Sequence, residues 1–314
     1  MKVSIAVTKY VAWRRELGFR CTSDARFFSS FSFHFGERSV KDLRASQIAK
    51  FINSPKSSLS TRHTNHGRLT RFFQYLYRRG DLTSLPVPPK PPRYENTFVP
   101  YIYSRNEIRR LISDCVLNGS MRRPLAEPET LRAFLLFLYG TGVSLGEAIT
   151  LTRRDVDFVR QTLALARHED SQKRVIPMGK DVRNLLSQYL DSPTRGRVSS
   201  PYVFVARSGN PLKEHNLMYD FQHIRQAAGI FRPGGPWRQP RMHDLRYTFA
   251  VHRITSWYKQ RVNVEKMLPA LAVYMGHSGM RPIQRYLSLT PEHFRKQVVL
   301  INPQNSRCRK RSRN

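Results

Sequence analysis

Between Leu85 and Pro100 the chain reads LPVPPKPPRYENTFVP, a run holding six prolines. Each proline removes an amide donor and fixes φ, so neither a helix nor an inner strand can pass through it. The stretch predicts a semi-rigid linker over 85–100 and divides the 314-residue chain into separately packed parts. The expected organisation is a helical N-terminal domain over 1–84, the linker, a larger domain over 101–303 and a basic tail over 304–314.

Hydrophobic spacing says what each part can bury. Val3, Val7, Tyr10 and Leu17 fall on one helical face, and Phe27, Phe28, Phe31 and Phe35 on another. Leu69, Phe72, Phe73 and Leu76 repeat the stripe of an amphipathic helix. From Lys56 to Arg79 this stripe is set among six Lys and Arg and no acid. A helix apolar on one side and cationic on the other can lie along phosphates, which makes Arg62, Arg68, Arg71, Arg78 and Arg79 the expected DNA-binding side chains. The plainer alternative is a solvated basic face.

Past the linker, Ser104 and Glu107 have capping-box spacing, so a helix should begin near Arg105. Leu131, Phe134, Leu135 and Leu138 mark a helix that stops at GTG (140–142). TLALARHEDSQKRVIPM (162–178) has two β-prone runs around a polar turn, the pattern of a hairpin. Val182, Leu185, Leu186 and Tyr189 describe another helix, and YVFVA (202–206) reads as a short strand. The fold class is mainly α with a small β-hairpin or sheet (α+β), and no repeat is evident.

Lys and Arg number 54 against 22 Asp and Glu, a formal charge of +32, while 40% of residues are hydrophobic. Such a chain can fold and should attract polyanions, nucleic acid first, ahead of a ribosomal-type RNA or a membrane surface. Cys21, Cys115 and Cys308 are scattered, which fits a reducing cytosol and gives no zinc or disulfide framework. The N-terminal MKVSIAVTKYVAWRRELG lacks a signal peptide's apolar run, and no apolar stretch is long enough to span a membrane. The expected location is the cytoplasm, at the nucleoid of a bacterium. No P-loop, GxGxxG, HExxH or paired carboxylate stands out, which weighs against nucleotide or metal hydrolysis.

MHDLRYTFAVH (242–252) sets His243 and Arg246 one helical turn apart. YMGHSG (274–279) and IQRYLSLT (283–290) then supply His277 and Tyr286. A phenol, with an ordinary pKa of about 10, can attack a phosphodiester if one group takes its proton and another steadies the pentacoordinate phosphorus. Arginine offers a fork matched to two phosphate oxygens, and histidine moves protons near neutral pH. The phosphotyrosyl product keeps the phosphodiester energy, so this chemistry calls for neither cofactor nor metal. Taken singly, each feature has a plainer reading: a surface HxxR pair, a Gly-His helix cap, a half-buried tyrosine.

Together, HDLRYTFA (243–250), MGHSG (275–279) and Tyr286 resemble the final boxes of the tyrosine recombinases, the phage integrase family. GTGVSLGEAITLTRRDVDF (140–158) resembles the first box, the hairpin resembles the one that follows it, and the helical N-terminal half is similar to the family's core-binding domain. The resemblance implies a site-specific recombinase that cuts and rejoins double-stranded DNA through a 3′-phosphotyrosyl intermediate, in integration or transposition of a mobile element. It also implies association with itself or other recombinase subunits in a tetrameric synapse. By the same resemblance Tyr286 is the nucleophile, Arg246 the second phosphate-binding arginine, His243 and His277 the phosphate-contacting or proton-transferring pair, and Glu147 a structural acid. Asp244 reads as a cap on its helix. The chain departs from the pattern twice. Ser144 stands where the family has its first arginine, and the hairpin lysine would fall near Glu169, with Lys173 a few residues on. Arg122, Arg153 and Arg154 are candidate replacements for the missing arginine. The alternatives left open are a DNA-binding relative that cuts weakly or not at all, and a type IB topoisomerase.

Overall fold

The computed structural model describes residues 1–18, 22–54, 57–92, 98–119, 124, 126–166, 173–235, 238–277 and 279–291. The basic tail 304–314, Arg122, Glu169, Cys21 and Cys308 lie outside the described residues. The chain divides into two compact units, Met1–Phe98 and Val99–Asn314.

In the first unit, α1 (Val3–Glu16), α2 (Thr22–Phe35), α3 (Ala45–Ile52) and α4 (Leu59–Arg78) enclose an aromatic core. The periodic residues do the enclosing: Leu69, Phe72, Phe73 and Leu76 of α4 are all 0% exposed. Tyr10 and Phe28 pack edge to face against each other, as do Tyr10 and Phe72, an arrangement their ring quadrupoles favour. Leu17 departs from the expected face, because α1 ends at Glu16 and leaves it exposed. The proline-rich segment is laid against α4. His66 Nε2 donates to the Pro88 carbonyl at 2.9 Å and His63 Nε2 to the Pro92 carbonyl at 2.6 Å, while Val87 packs on the core.

The second unit begins with α5 (Arg105–Leu111), opened by the Ser104–Glu107 capping box. It continues through α6 (Asp114–Gly119), α7 (Pro128–Thr141) and α8 (Leu145–Thr150). A three-stranded antiparallel sheet follows, β1 (Val156–Asp157), β2 (Thr162–Leu165) and β3 (Arg174–Pro177), in the order β1-β2-β3. Leu163 opposes Ile176 and Leu165 opposes Arg174, and Leu163, Leu165 and Ile176 all face the core. Next come α9 (Lys180–Asp191), α10 (Pro193–Gly196), α11 (Glu214–Ala227), α12 (Asp244–Lys259), α13 (Val264–Tyr274) and α14 (Arg281–Leu289). No described helix is long and apolar enough to cross a membrane.

YVFVA is not a strand. Tyr202 and Val205 make only isolated bridges, to Thr152 and Pro211. Its backbone is held instead by the buried Arg195, which donates to the carbonyls of Tyr202 and Val203 as well as to Val198 and Ser200. Val203, Phe204, Val205 and Ala206 are buried, so the apolar run found a core without a ladder.

Candidate active site

The first turn of α12 is assembled before any chemistry. Asp244, 0% exposed, accepts from the Arg241 backbone N–H at 3.0 Å and from its guanidinium at 2.9 Å, which fixes the turn leading into the helix. Arg246, two residues on, is 7% exposed. Its guanidinium is steered by two chain ends, donating to the Gly142 carbonyl at 2.6 Å and to the Met275 carbonyl. Gly142 closes α7 in the left-handed conformation, φ 62°. A Cβ there would stand 2.2 Å from the Phe249 ring, so only glycine can present this carbonyl.

Gly276 ends α13 in the same way, with φ 69°, and delivers His277. His277 Nε2 lies 2.9 Å from Tyr286 Oη and 3.5 Å from Arg246 Nη2. A guanidinium only donates, so the tautomer that suits both contacts leaves Nε2 unprotonated and accepting the phenol proton. Tyr286, on α14, is 2% exposed and meets Tyr247 edge to face with ring centroids 5.3 Å apart. Burial pushes the Tyr286 phenol above its usual 10, against the pull of the Arg246 charge, so the free protein holds it protonated. Burial also lowers Arg246, without changing its charge at neutral pH.

His243 stands at the N-cap position of α12, its ring 5.8 Å from that of Tyr247. Tyr247 therefore touches both His243 and Tyr286. Enclosure by protein and then the charges of Arg246 and Arg241 hold the imidazole below its ordinary 6.5, although the residue is exposed. Enclosure and neighbouring charge act in the same direction, toward a neutral ring.

The first-box region takes a different form. Ser144 is the N-cap of α8: its hydroxyl accepts from the Glu147 N–H and donates to Glu147 Oε2 at 2.7 Å. Glu147, 3% exposed, also receives Arg174 Nε at 3.0 Å, and these partners outweigh burial to lower its pKa. Arg174 donates further to the Tyr274 carbonyl. Lys173, the next residue back, forms an ion pair with Asp155 at the end of the 3-10 turn Arg153–Asp155. Arg153 and Arg154 on that turn are exposed, and Arg153 acts electrostatically on Arg195. Arg174 is the residue that sequence reasoning missed. The signal was strand alternation: it lies two residues from the buried Ile176 and opposite the buried Leu165, so it shares their face.

In the first unit Arg71 and Arg78 are exposed on α4, as is Arg79 at its C-cap. Arg79 bonds Asp81 and covers the Tyr75 ring. Arg62 donates to the Ser57 carbonyl at 3.0 Å, and Arg68 is drawn inward by Asp24 at 2.7 Å and the Phe27 ring. The α4 segment has no acid of its own, but α2 supplies one.

Residues 105–293 match the model of the phage integrase family. A provisionally named integrase/recombinase of Sinorhizobium fredii, y4rB, is 27% identical over 296 residues, 91% of this chain and 93% of its own. Tyrosine recombinase XerA of Thermococcus kodakarensis is 28% identical over 67% of this chain and 64% of its own. Among solved structures, the Tn1549 transposon integrase in complex with transposon right end DNA superposes with a TM-score of 0.67 at 15% identity, covering 95% of this chain and 98% of that one. A lambda integrase dimer bound to a core site gives 0.62 at 15%, covering 90% and 97%.

Proposed function

The chain belongs to the phage integrase family of tyrosine recombinases, and on that premise we propose that it cuts and rejoins duplex DNA at specific sites, with Tyr286 as nucleophile. The observation that carries this reading is the 2.9 Å contact between Tyr286 Oη and His277 Nε2, beside the Arg246 fork. As Tyr286 Oη bonds to phosphorus, its proton passes to His277 and the bond from phosphorus to the 5′ oxygen breaks. That oxygen leaves as a 5′ hydroxyl once the proton given up by the phenol has been returned to it, so the step consumes and releases no proton overall, and the 3′ phosphate stays on the tyrosine. Arg246 neutralises the developing charge on the non-bridging oxygens, and His243 hydrogen-bonds there as a neutral imidazole. Rejoining is the same displacement reversed by another 5′ hydroxyl, so no water or energy source enters. The DNA-bound relatives support duplex DNA as the substrate and a mobile element as its setting. Lambda integrase solved as a dimer and as a tetramer on DNA supports action by paired or fourfold subunits, and the location that goes with this reading is nucleoid DNA in the cytoplasm. Exposed Arg71, Arg78 and Arg79 give α4 a face for backbone phosphates.

The test lets the protein select its own target. A pool of random-sequence nicked duplexes is incubated with the protein, and covalent protein–DNA adducts are recovered and sequenced. Wild type should yield an adduct on a defined sequence. Tyr286→Phe should yield none while retaining the gel shift, and an adduct from that variant would move the nucleophile elsewhere. A non-cutting DNA-binding role is favoured by one observation, Ser144 in place of the first arginine. Its signature is no adduct from wild type and a clear one from Ser144→Arg.

A further inference from the structure

The family pattern calls for two guanidiniums on the scissile phosphate, and the position that should supply the first holds Ser144, spent on capping α8. We propose that Arg174, from the second strand of the hairpin, takes over as the first phosphate-binding arginine. The inference rests on the cutting reading above.

Four observations converge on it. Arg174 opens β3 on the face of Ile176, so its side chain is directed into the unit rather than to solvent. Two of its nitrogens are pinned: Nε donates to Glu147 at 3.0 Å, and Nη1 donates to the Tyr274 carbonyl. The third, Nη2, is buried and has no hydrogen-bond partner among the described residues. A buried N–H left empty costs roughly 1–3 kcal/mol, which a phosphate oxygen would recover. Finally, the guanidinium lies close against Gly276, where a Cβ would come within 2.7 Å of Nε and 3.1 Å of Cζ.

That last contact ties it to the reacting groups. Gly276 is the residue before His277, and His277 touches both Tyr286 and Arg246. Met275 and Tyr274, just before the glycine, give their carbonyls to Arg246 and Arg174 respectively. One helix end thus orients both forks. The two cations repel, since the Arg174 charge acts to lower the pKa of Arg246, and the single buried Glu147 carboxylate, paired with Arg174, is shared electrostatically by both. Two guanidiniums and one carboxylate leave a surplus positive charge in a poorly hydrated place, an arrangement completed by an anion. Ser144 and Arg174 also explain each other. With the charge arriving from β3, position 144 is free to cap, and Ser144 and Arg174 share Glu147 as partner.

The test uses the duplex recovered from the pool, in two forms: with the natural phosphodiester, and with a methylphosphonate at the scissile position, which carries no negative charge. Arg174→Gln keeps an N–H donor at the position of Nε, on a shorter side chain, and removes the charge. Its adduct rate should fall about 100-fold or more on the phosphodiester, the usual consequence of losing one oxyanion partner. On the methylphosphonate it should recover to within about tenfold of wild type on that substrate. Because both rates are read in the same variant, any partial unfolding cancels. Adding Ser144→Arg to Arg174→Gln should restore cutting of the phosphodiester. An adduct formed equally well by Arg174→Gln on the phosphodiester would overturn this inference alone. So would an equal loss on both substrates, which would make Arg174 only a brace for Glu147. No adduct from wild type on any duplex would overturn both this inference and the reading beneath it.

Discussion

Arg195 and Arg246 both lie buried in the second unit, 1% and 7% exposed, and they spend their donors differently. Arg195 donates to four backbone carbonyls, of Val198, Ser200, Tyr202 and Val203, and no carboxylate is among these partners. Its charge is answered by dipoles of the loop it organises, and burial lowers its pKa. Arg246 gives two donors to carbonyls at helix ends and turns the rest of its fork toward His277 and Tyr286. Burial alone therefore does not mark an active arginine. A guanidinium closed on every side is a brace, and one anchored at its back and open toward a nucleophile is a phosphate receptor. Arg174 shares one trait with Arg246: it is anchored at its back, and its buried Nη2 has no hydrogen-bond partner among the described residues.

The contrast can be broken by removing each arginine's setting. Arg195→Leu strands four carbonyls and should cost about 3–5 kcal/mol, read as a lower urea midpoint at unchanged slope. Under conditions where the variant remains folded, its adduct rate should stay near that of wild type. A cutting defect without a stability loss would place Arg195 in the wrong class. Gly142→Ala attacks the anchor of Arg246 instead. A left-handed φ of 62° and a Phe249 ring 2.2 Å from the new Cβ should cost roughly 1–3 kcal/mol, less than the loss at Arg195. The displaced carbonyl should slow adduct formation about 100-fold, since small misplacements at a reacting centre are felt strongly. Stability and rate thus exchange their order between the two variants.

The same contrast shows what could be read from the sequence. Local signatures were readable because their hydrogen bonds close within a few residues. Ser104 with Glu107 opens α5, Gly142 ends α7, and the stripe Leu69–Phe72–Phe73–Leu76 is fully buried. Ser144 with Glu147 carries that same capping signature, and read in those terms its hydroxyl was already committed. The run 202–206 misled because its backbone partners come from one long side chain, that of Arg195, rather than from a neighbouring strand. Arg174 escaped notice because its role depends on the register of β2 and β3, which places it opposite the buried Leu165. The hairpin itself was legible, but the family pattern points to a lysine in its turn rather than to an arginine on its second strand.

The smallest effect separates fixed charge from titrating charge. Arg195 and Arg246 cannot change protonation near neutrality, so whatever they contribute to stability is flat between about pH 5 and 7. His252, also on α12, can. Its Nδ1 lies 3.0 Å from Tyr139 Oη, and burial, then the charge of Arg105, lower its pKa from 6.5. Above 6.5 the ring is neutral whether folded or not, and its full contribution is present. As pH falls below 6.5 the unfolded chain takes a proton that the folded one resists, so stability declines until the folded pKa is passed. His243, lowered in the same direction, adds to the slope. His252→Gln, which still reaches Tyr139, should therefore lose less stability than wild type between pH 7 and 5, by at most about 1 kcal/mol. Urea titrations at the two pH values would read the difference. A slope unchanged in the variant would mean that the imidazole titrates alike in both states, and that α12 encloses it less than the Tyr139 contact implies.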